Sequence, residues 1–556
     1  MSQSAIQRRP LGVTFSTDKQ ATIGVWAPVA KAVTISINDH APLLPLENDG
    51  SGYWQLTTSQ LKPGDQYTFS VDDRTEQADP ASRLQPQGAH GPSQAFDSNV
   101  AYWEDSSWIN PPIDEYIIYE IDIHAFTPEG TFSAVIDKLS HLRELGTNAI
   151  LIRPVTPFTG ASDQGTKTNF LFAVQASYGG PDQLQHLINA CHYEGLAVVL
   201  DVPYEQLDWT NALPGGELSE SAYRQYRIQN ALMWFRDFHV DALFLNGIHR
   251  LPNAEPLLRA IREQTSVLTA QTGRQHYLLT ERDLTLVFRS ANSFKHRVSV
   301  GEGELATQTN FDQVQHQPTS ARNDCLCDST FSAILRDLFA RETDSASNNA
   351  FVELLQTYQS TVTTQSDQQI DRELLKLLAG AILVSPCIPT LFMGEEWGVT
   401  SPLRRLRHDE PTIAGTEPDR IDPTADSESL PVLPWEALDE YQNRPLYRYY
   451  QSLTALRRQL PALYHLNPNQ VSIVHQPGAH TLLLHRWYKT DHVLCLLNFC
   501  ADKQPVLLPA LGNTLHKQLD SADPVWDGPG ASPESLSDTS QLLLQPKSIV
   551  VYTTRT

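Results

Sequence analysis

At 556 residues the chain is long enough for two to four domains with proper cores. Its formal net charge of -23 argues against a polyanionic partner and so against nucleic acid. Hydrophobic residues at 40% and charged residues at 19% fit a soluble globular protein, and no run approaches the roughly 18 apolar residues of a membrane span.

Residues 11 to about 100 read as all-β. Ala21–Pro28, Ala32–Ile37 and Gln66–Val71 alternate with the strand period, and Asn48-Asp49-Gly50-Ser51-Gly52 and Lys62-Pro63-Gly64-Asp65 mark turns between strands. A small β-sandwich is expected, with Trp26, Trp54 and Trp103 in core or interdomain packing. The Pro-rich, polar stretch from about Asp79 to Asp114 reads as a linker along the surface.

From Tyr116 the pattern alternates between strand and helix. Strands are expected at Tyr116–Ile121, Ala149–Ile152, Leu196–Val202, Val240–Leu245, Tyr277–Thr280 and Thr390–Met393. Helices are expected at Phe132–Leu145 (closed by Gly146), Asp182–Tyr193, Ala222–Phe238, Pro252–Gln264, Thr330–Arg341 and Arg372–Leu383. That spacing points to parallel β/α units and a (β/α)8 TIM barrel. After the helix Leu446–Gln459 the β pattern returns at Val471–Val474, Thr481–Trp487 and His492–Phe499, with at least one strand in Leu542–Tyr552. The expected division is a sandwich over 1–100, a barrel over 101–464 and a C-terminal all-β domain over 465–556.

The six cysteines are scattered and the first ten residues lack the apolar core of a signal peptide, which suggests a reducing, cytoplasmic setting. Cys325-Leu326-Cys327 has no second Cys/His pair nearby, so loop thiols are expected rather than a metal site, and no cofactor is expected.

The β-sandwich, barrel, β-sandwich order resembles the α-amylase superfamily, glycoside hydrolase family 13. Within it the chain is most similar to the malto-oligosyltrehalose trehalohydrolases, with glycogen branching enzymes more distant. The resemblance rests on Asp79–Pro86 with Gly88–Ser93, on Phe126–Phe132, on Ser177-Tyr178-Gly179-Gly180-Pro181, and on Leu391-Phe392-Met393-Gly394-Glu395-Glu396-Trp397-Gly398. It implies a retaining mechanism in which a nucleophile and a general acid stand roughly 5–5.5 Å apart. On that resemblance Glu281 falls at the general acid, Asp367 at the transition-state stabiliser and Asn246 at the nucleophile.

Several positions depart from the pattern together. The arginine two residues before the nucleophile is Phe244, and the region-one motif reads Asp201-Val202-Pro203-Tyr204-Glu205-Gln206, with Gln206 for the sugar-binding histidine. Ser366 replaces the histidine before the second aspartate, and Gly165-Thr166-Lys167-Thr168 stands where a sugar-stacking tyrosine is expected. Asp201, Tyr204 and His249 keep the pattern, and with Gln206 and Phe244 they are the candidate substrate-binding residues. Arginine beside an asparagine would be a buried unpaired charge, so the two substitutions make physical sense as a pair.

The residues therefore point to a homologue that recognises α-glucan or malto-oligosyltrehalose with an impaired or absent hydrolytic step, or that docks on a trehalose-pathway protein. The alternatives are an active trehalohydrolase with an unconventional nucleophile, and a glucan branching transglycosylase. Deamidation at Asn246-Gly247 would restore an aspartate, but a rigid strand end resists the geometry it needs.

Overall fold

A computed structural model describes residues 11–74, 76–88, 91–157, 170–204, 220–248, 251, 253–280, 371–399, 432–476, 481–508, 514–537 and 541–554. They fall in two units, one from residues 1–281 with 390–440 and one from 282–389 with 441–556.

In the first unit the alternating N-terminal stretch forms β1 (Gly12–Phe15), β2 (Ala21–Trp26), β3 (Val33–Ile37), β4 (His40–Pro45), β5 (Glu47–Asn48), β6 (Tyr53–Thr58), β7 (Gln66–Val71) and β8 (Ser93–Gln94). They pair antiparallel in two four-stranded sheets, β1-β2-β6-β5 and β4-β3-β7-β8. Val13, Ile23, Val25, Ile35, Phe69 and Val71 point inward from both sheets into one core, as strand alternation requires. Trp54 is part of that core and its Nε1 donates to the Ala27 carbonyl at 2.9 Å.

The first part of the stretch expected to be a surface linker, Asp79–Gln85, is largely buried. Asp79, Ala81, Ser82, Arg83 and Gln85 are each 6% exposed or less. Most of their polar groups are satisfied internally, which makes burial tolerable. Tyr67 Oη donates to Asp79 Oδ2 at 2.7 Å, Ala81 N donates to Asp79 Oδ1 at 2.8 Å, and Arg83 Nη1 donates to the carbonyls of Leu11 and Ala81. Burial, only partly opposed by the Tyr67 hydrogen bond, pushes the Asp79 carboxyl up to about 6.

The barrel strands are β9 (Ile118–Ile121), β10 (Ala149–Ile152), β11 (Ala197–Pro203), β12 (Ala242–Asn246), β13 (Tyr277–Leu279) and β14 (Thr390–Phe392). All pair in parallel, in the order β13-β12-β11-β10-β9-β14. The last strand in sequence thus lies beside the first, which is how a parallel sheet closes into a barrel. The helices between them are α1 (Ile123–Phe126), α2 (Phe132–Ile136), α3 (Leu139–Leu145), α4 (Gly180–Tyr193), α5 (Glu220–Asp237) and α6 (Ala254–Thr272).

Several boundaries differ from expectation, and three of them have a clear physical reason or bear on the site. The single helix at Phe132–Leu145 is two, α2 and α3, because Lys138 N bonds back only three residues to the Val135 carbonyl and the chain turns at Asp137-Lys138. Helix α6 runs on to Thr272 because its stop is Gly273 at φ 74°. Strand β12 begins at Ala242, not Val240, and takes in Asn246.

The floor of the barrel is fastened by a buried ionic cluster. Asp105 Oδ2 lies 3.0 Å from His192 Nδ1 and 2.8 Å from His239 Nδ1, and Arg274 Nη2 donates to Asp105 Oδ1 at 2.7 Å. His192 Nε2 faces Asp241 Oδ2 at 2.9 Å, and Trp108 Nε1 donates to Asp241 Oδ1 at 2.7 Å. Trp103 stacks on His239 and Trp108 on His192. Both nitrogens of His192 face carboxylates, which only accept, so both carry protons and the ring is a cation. Burial opposes that charge, but the bonds to Asp105 and Asp241 outweigh it and raise the His192 pKa.

The second unit holds α7 (Arg372–Val384), α8 (Arg444–Gln459) and the strands β15 (Val471–Gln476), β16 (Thr481–Tyr488), β17 (Asp491–Asn498), β18 (Gln504–Leu507), β19 (Leu515–Asp520), β20 (Ser535–Leu536), β21 (Gln541–Leu544) and β22 (Ser548–Thr553). A six-stranded antiparallel sheet, β15-β16-β17-β22-β19-β20, stands with the pair β18-β21. Leu483, Leu494, Leu496, Val506, Leu544, Val550 and Tyr552 fill the core. The strand expected in Leu542–Tyr552 is thus two, β21 and β22, with Lys547 at φ 44° between them. Arg457 and Arg486, both buried, donate to the carbonyls of Leu383, Val384, Ser385 and Cys387, and so supply the donors that the end of α7 lacks.

The molecule is therefore an N-terminal β-sandwich, a (β/α)8 barrel and a C-terminal all-β domain. The helix expected at Thr330–Arg341, Cys325-Leu326-Cys327 and Gly165–Thr168 lie outside the described residues. Among the described residues no helix is long and apolar enough to cross a membrane.

Candidate active site

Parallel barrel strands carry their chemistry at their C-terminal ends, because side chains there open into one mouth. Asp122 follows β9, Arg153 follows β10, Asp201 lies near the end of β11 and Asn246 is the last residue of β12. Arg153 N donates to the Ile121 carbonyl at 3.0 Å, so the ends of β9 and β10 are tied together. The register of β11 against β12 sets Asp201 beside Phe244 and Pro203 beside Asn246.

Asn246 Nδ2 donates to Asp201 Oδ2 at 3.3 Å. Phe244 is 8% exposed, so the position resembling the family's arginine is apolar and buried. Tyr204 is fully buried; its hydroxyl donates to the Arg227 carbonyl at 2.9 Å and lies 3.0 Å from Asn230 Oδ1. Its polar end is thus bonded to residues of α5. Asp201, Phe244 and Asn246 are brought together. Glu281, Asp367, Gln206 and His249 lie outside the described residues.

The mouth also holds three charged residues that the sequence reading passed over. Arg153 Nη1 donates to Glu120 Oε1 at 3.1 Å, and Arg153 Nε lies 3.7 Å from Asp122 Oδ2. Burial would lower the Arg153 pKa, but Glu120, Asp122 and Asp201 together hold it above the ordinary value. The other oxygen of Asp122 is occupied: Oδ1 accepts from Ala125 N at 3.2 Å and caps α1. A signal was available. Glu120 sits inside an otherwise apolar strand, and Arg153 follows Ala149–Ile152 directly, where a barrel places functional side chains. Among the described residues no group of three or more His, Cys, Asp or Glu could hold a metal ion.

The Gly394-Glu395-Glu396-Trp397 stretch has a structural task. Gly394 takes φ 86°, and Glu396 Oε1 accepts from Tyr119 Oη at 2.8 Å and lies 2.8 Å from His141 Nε2. Tyr119 Oη in turn accepts from Gly394 N at 3.0 Å, so the motif fastens β14 to β9.

Comparison with known proteins agrees with this architecture. The family model for the α-amylase catalytic domain matches residues 86–229, and that for carbohydrate-binding module 48, the isoamylase N-terminal domain, matches residues 10–83. The malto-oligosyltrehalose trehalohydrolase of Arthrobacter ramosus is 30% identical over 513 residues, spanning 79% of this chain and 87% of that protein. The chain belongs to the malto-oligosyltrehalose trehalohydrolase family of the α-amylase superfamily. Among solved structures, a putative α-amylase from Salmonella typhimurium superposes with a TM-score of 0.69 at 21% identity, over 98% of this chain and 99% of that one. The group B Streptococcus pullulanase SAP in complex with maltotetraose gives 0.66 at 17% identity, over 98% and 87% of the two chains. These structural likenesses show that the fold of this trehalohydrolase-family member is that of the superfamily.

Proposed function

We propose that this member of the trehalohydrolase family recognises α-glucan or malto-oligosyltrehalose, and that its hydrolytic step is impaired or lost. The observation that carries the reading is the hydrogen bond from Asn246 Nδ2 to Asp201 Oδ2, beside a buried Phe244. A carboxamide is a poor nucleophile and cannot form the glycosyl ester of a retaining mechanism. Here the amide is also engaged as a donor, and the position that resembles the family's arginine is the buried, apolar Phe244. The family and the pullulanase–maltotetraose complex support an α-glucan ligand. A cytoplasmic location and a trehalose-pathway protein partner belong to the same proposal.

The second reading is an active trehalohydrolase that releases trehalose by cleaving the adjacent α-1,4 bond, with Glu281 as acid, Asp367 as stabiliser and an unconventional nucleophile. Family membership favours it. Glucan branching by transglycosylation needs the same nucleophile and has less support. An assay for trehalose release from malto-oligosyltrehalose by purified wild-type protein separates the first two readings. Slow release or none is expected; robust turnover overturns the proposal.

A further inference from the structure

Arg153 is held in the mouth from two sides. Its guanidinium meets Glu120 Oε1 at 3.1 Å and Asp122 Oδ2 at 3.7 Å, while 20% of the side chain stays exposed. Asp122 is itself fixed as the cap of α1, so the pair has little freedom to rearrange. Among the described residues Nη2 finds no hydrogen-bond partner. On the next strand Asp201, whose charge helps to raise the Arg153 pKa, accepts from Asn246. A fixed donor edge and carboxylate acceptors thus lie at the same end of adjacent strands.

The charges at this point decide what class of ligand can enter. Among the described residues Glu120, Asp122 and Asp201 stand against one guanidinium, so this cluster is net negative and Arg153 is already compensated. An anion would meet repulsion there. A neutral polyol would not: one hydroxyl oxygen accepts from Nη2 while neighbouring hydroxyls donate to carboxylate oxygens.

We infer that Arg153 is a ligand-binding residue that fixes a ring of a neutral α-glucan in the mouth, with the part-exposed Glu120 beside it as an acceptor, and that the site discriminates against phosphorylated sugars. This rests on the glucan-binding reading above.

The test combines calorimetry with the side-chain Nε–H resonance of Arg153, assigned by its loss in R153M. Maltotetraose is expected to bind the wild type and to shift that resonance. R153M is expected to bind roughly tenfold more weakly or worse, as loss of a hydrogen bond from a charged donor implies. R153K, which keeps the charge that compensates Glu120 and Asp122, controls for folding and is expected to fall between. α-Glucose 1-phosphate is expected to leave the resonance in place. If maltotetraose binds but the resonance stays put and R153M keeps wild-type affinity, the inference about Arg153 is overturned while the glucan reading stands. If maltotetraose gives neither heat nor shift, the glucan reading falls and takes the inference with it. A larger shift with the phosphate than with maltotetraose would identify an anion site and overturn the neutral-ligand assignment.

Discussion

Asn246 Nδ2 donates to Asp201 Oδ2 across 3.3 Å, so the amide that ends β12 is tied to a carboxylate near the end of β11. Replacing Asn246 with the expected aspartate would set two carboxylates against each other and remove a hydrogen bond to a charged group. N246D should therefore destabilise the protein at neutral pH by about 2 kcal/mol. The pair would bind one proton more tightly when folded than when unfolded, so the deficit should shrink as pH falls toward 4–5. Thermal melts of both proteins at pH 5 and pH 8 check this; a pH-independent difference would sink the argument.

Phe244 and Asn246 are expected to be coupled through Asp201, which lies beside Phe244 in the register and bonds Asn246. F244R places a guanidinium among buried groups, and N246D places a carboxylate there. Together they can form an ion pair that neither forms alone. A double-mutant cycle should show favourable coupling of roughly 1 kcal/mol or more. Additive stabilities would show that the two positions do not communicate.

Asn246-Gly247 carries a deamidation-prone sequence, and Gly247 has φ 67° at the end of a paired strand. The strand and the Asn246 Nδ2 hydrogen bond hold the amide against Asp201. Ageing at neutral pH should therefore give no 1-dalton gain at this peptide, while a denatured sample deamidates readily. Mass-spectrometric peptide mapping reads the outcome directly.

The floor of the barrel should make stability depend on pH in a defined window. Burial works against the ionised Asp105, but hydrogen bonds from His192, His239 and Arg274 outweigh it and hold the carboxyl well below the usual range. Stability from Asp105 is thus present above about pH 4 and lost as pH falls. The His192 pKa is raised, so its contribution is present below about pH 6.5 and lost as pH rises through the folded value. H192Q, facing Asp105 and Asp241 without the positive charge, should cost about 3 kcal/mol at pH 6 and less at pH 9. Urea unfolding at the two pH values measures it, and an equal loss at both would exclude a protonated His192.

Much of this protein was legible along the chain because its signals are local. The period-2 alternation of Gln66–Val71 and Thr481–Trp487, the apolar runs at Ala149–Ile152 and Leu196–Val202, and the Gly146 stop all became the elements they announced. The Asp79–Gln85 stretch was misread because polar composition suggests exposure, whereas Tyr67, Leu11 and a turn of its own backbone satisfy it in the interior. The break in Phe132–Leu145 was hidden because Asp137 and Lys138 disturb no apolar periodicity.

The sequence by itself determined the order of domains, the parallel character of the barrel and the identities of Phe244 and Asn246, since these depend on residue type and on spacing along one strand. Tertiary structure alone decided the partners. That Asn246 donates to Asp201, that Arg153 lies between Glu120 and Asp122, and that His192 joins Asp105 to Asp241 depend on residues tens of positions apart. Strand register and crossover packing bring them within 4 Å, and no local pattern encodes those distances.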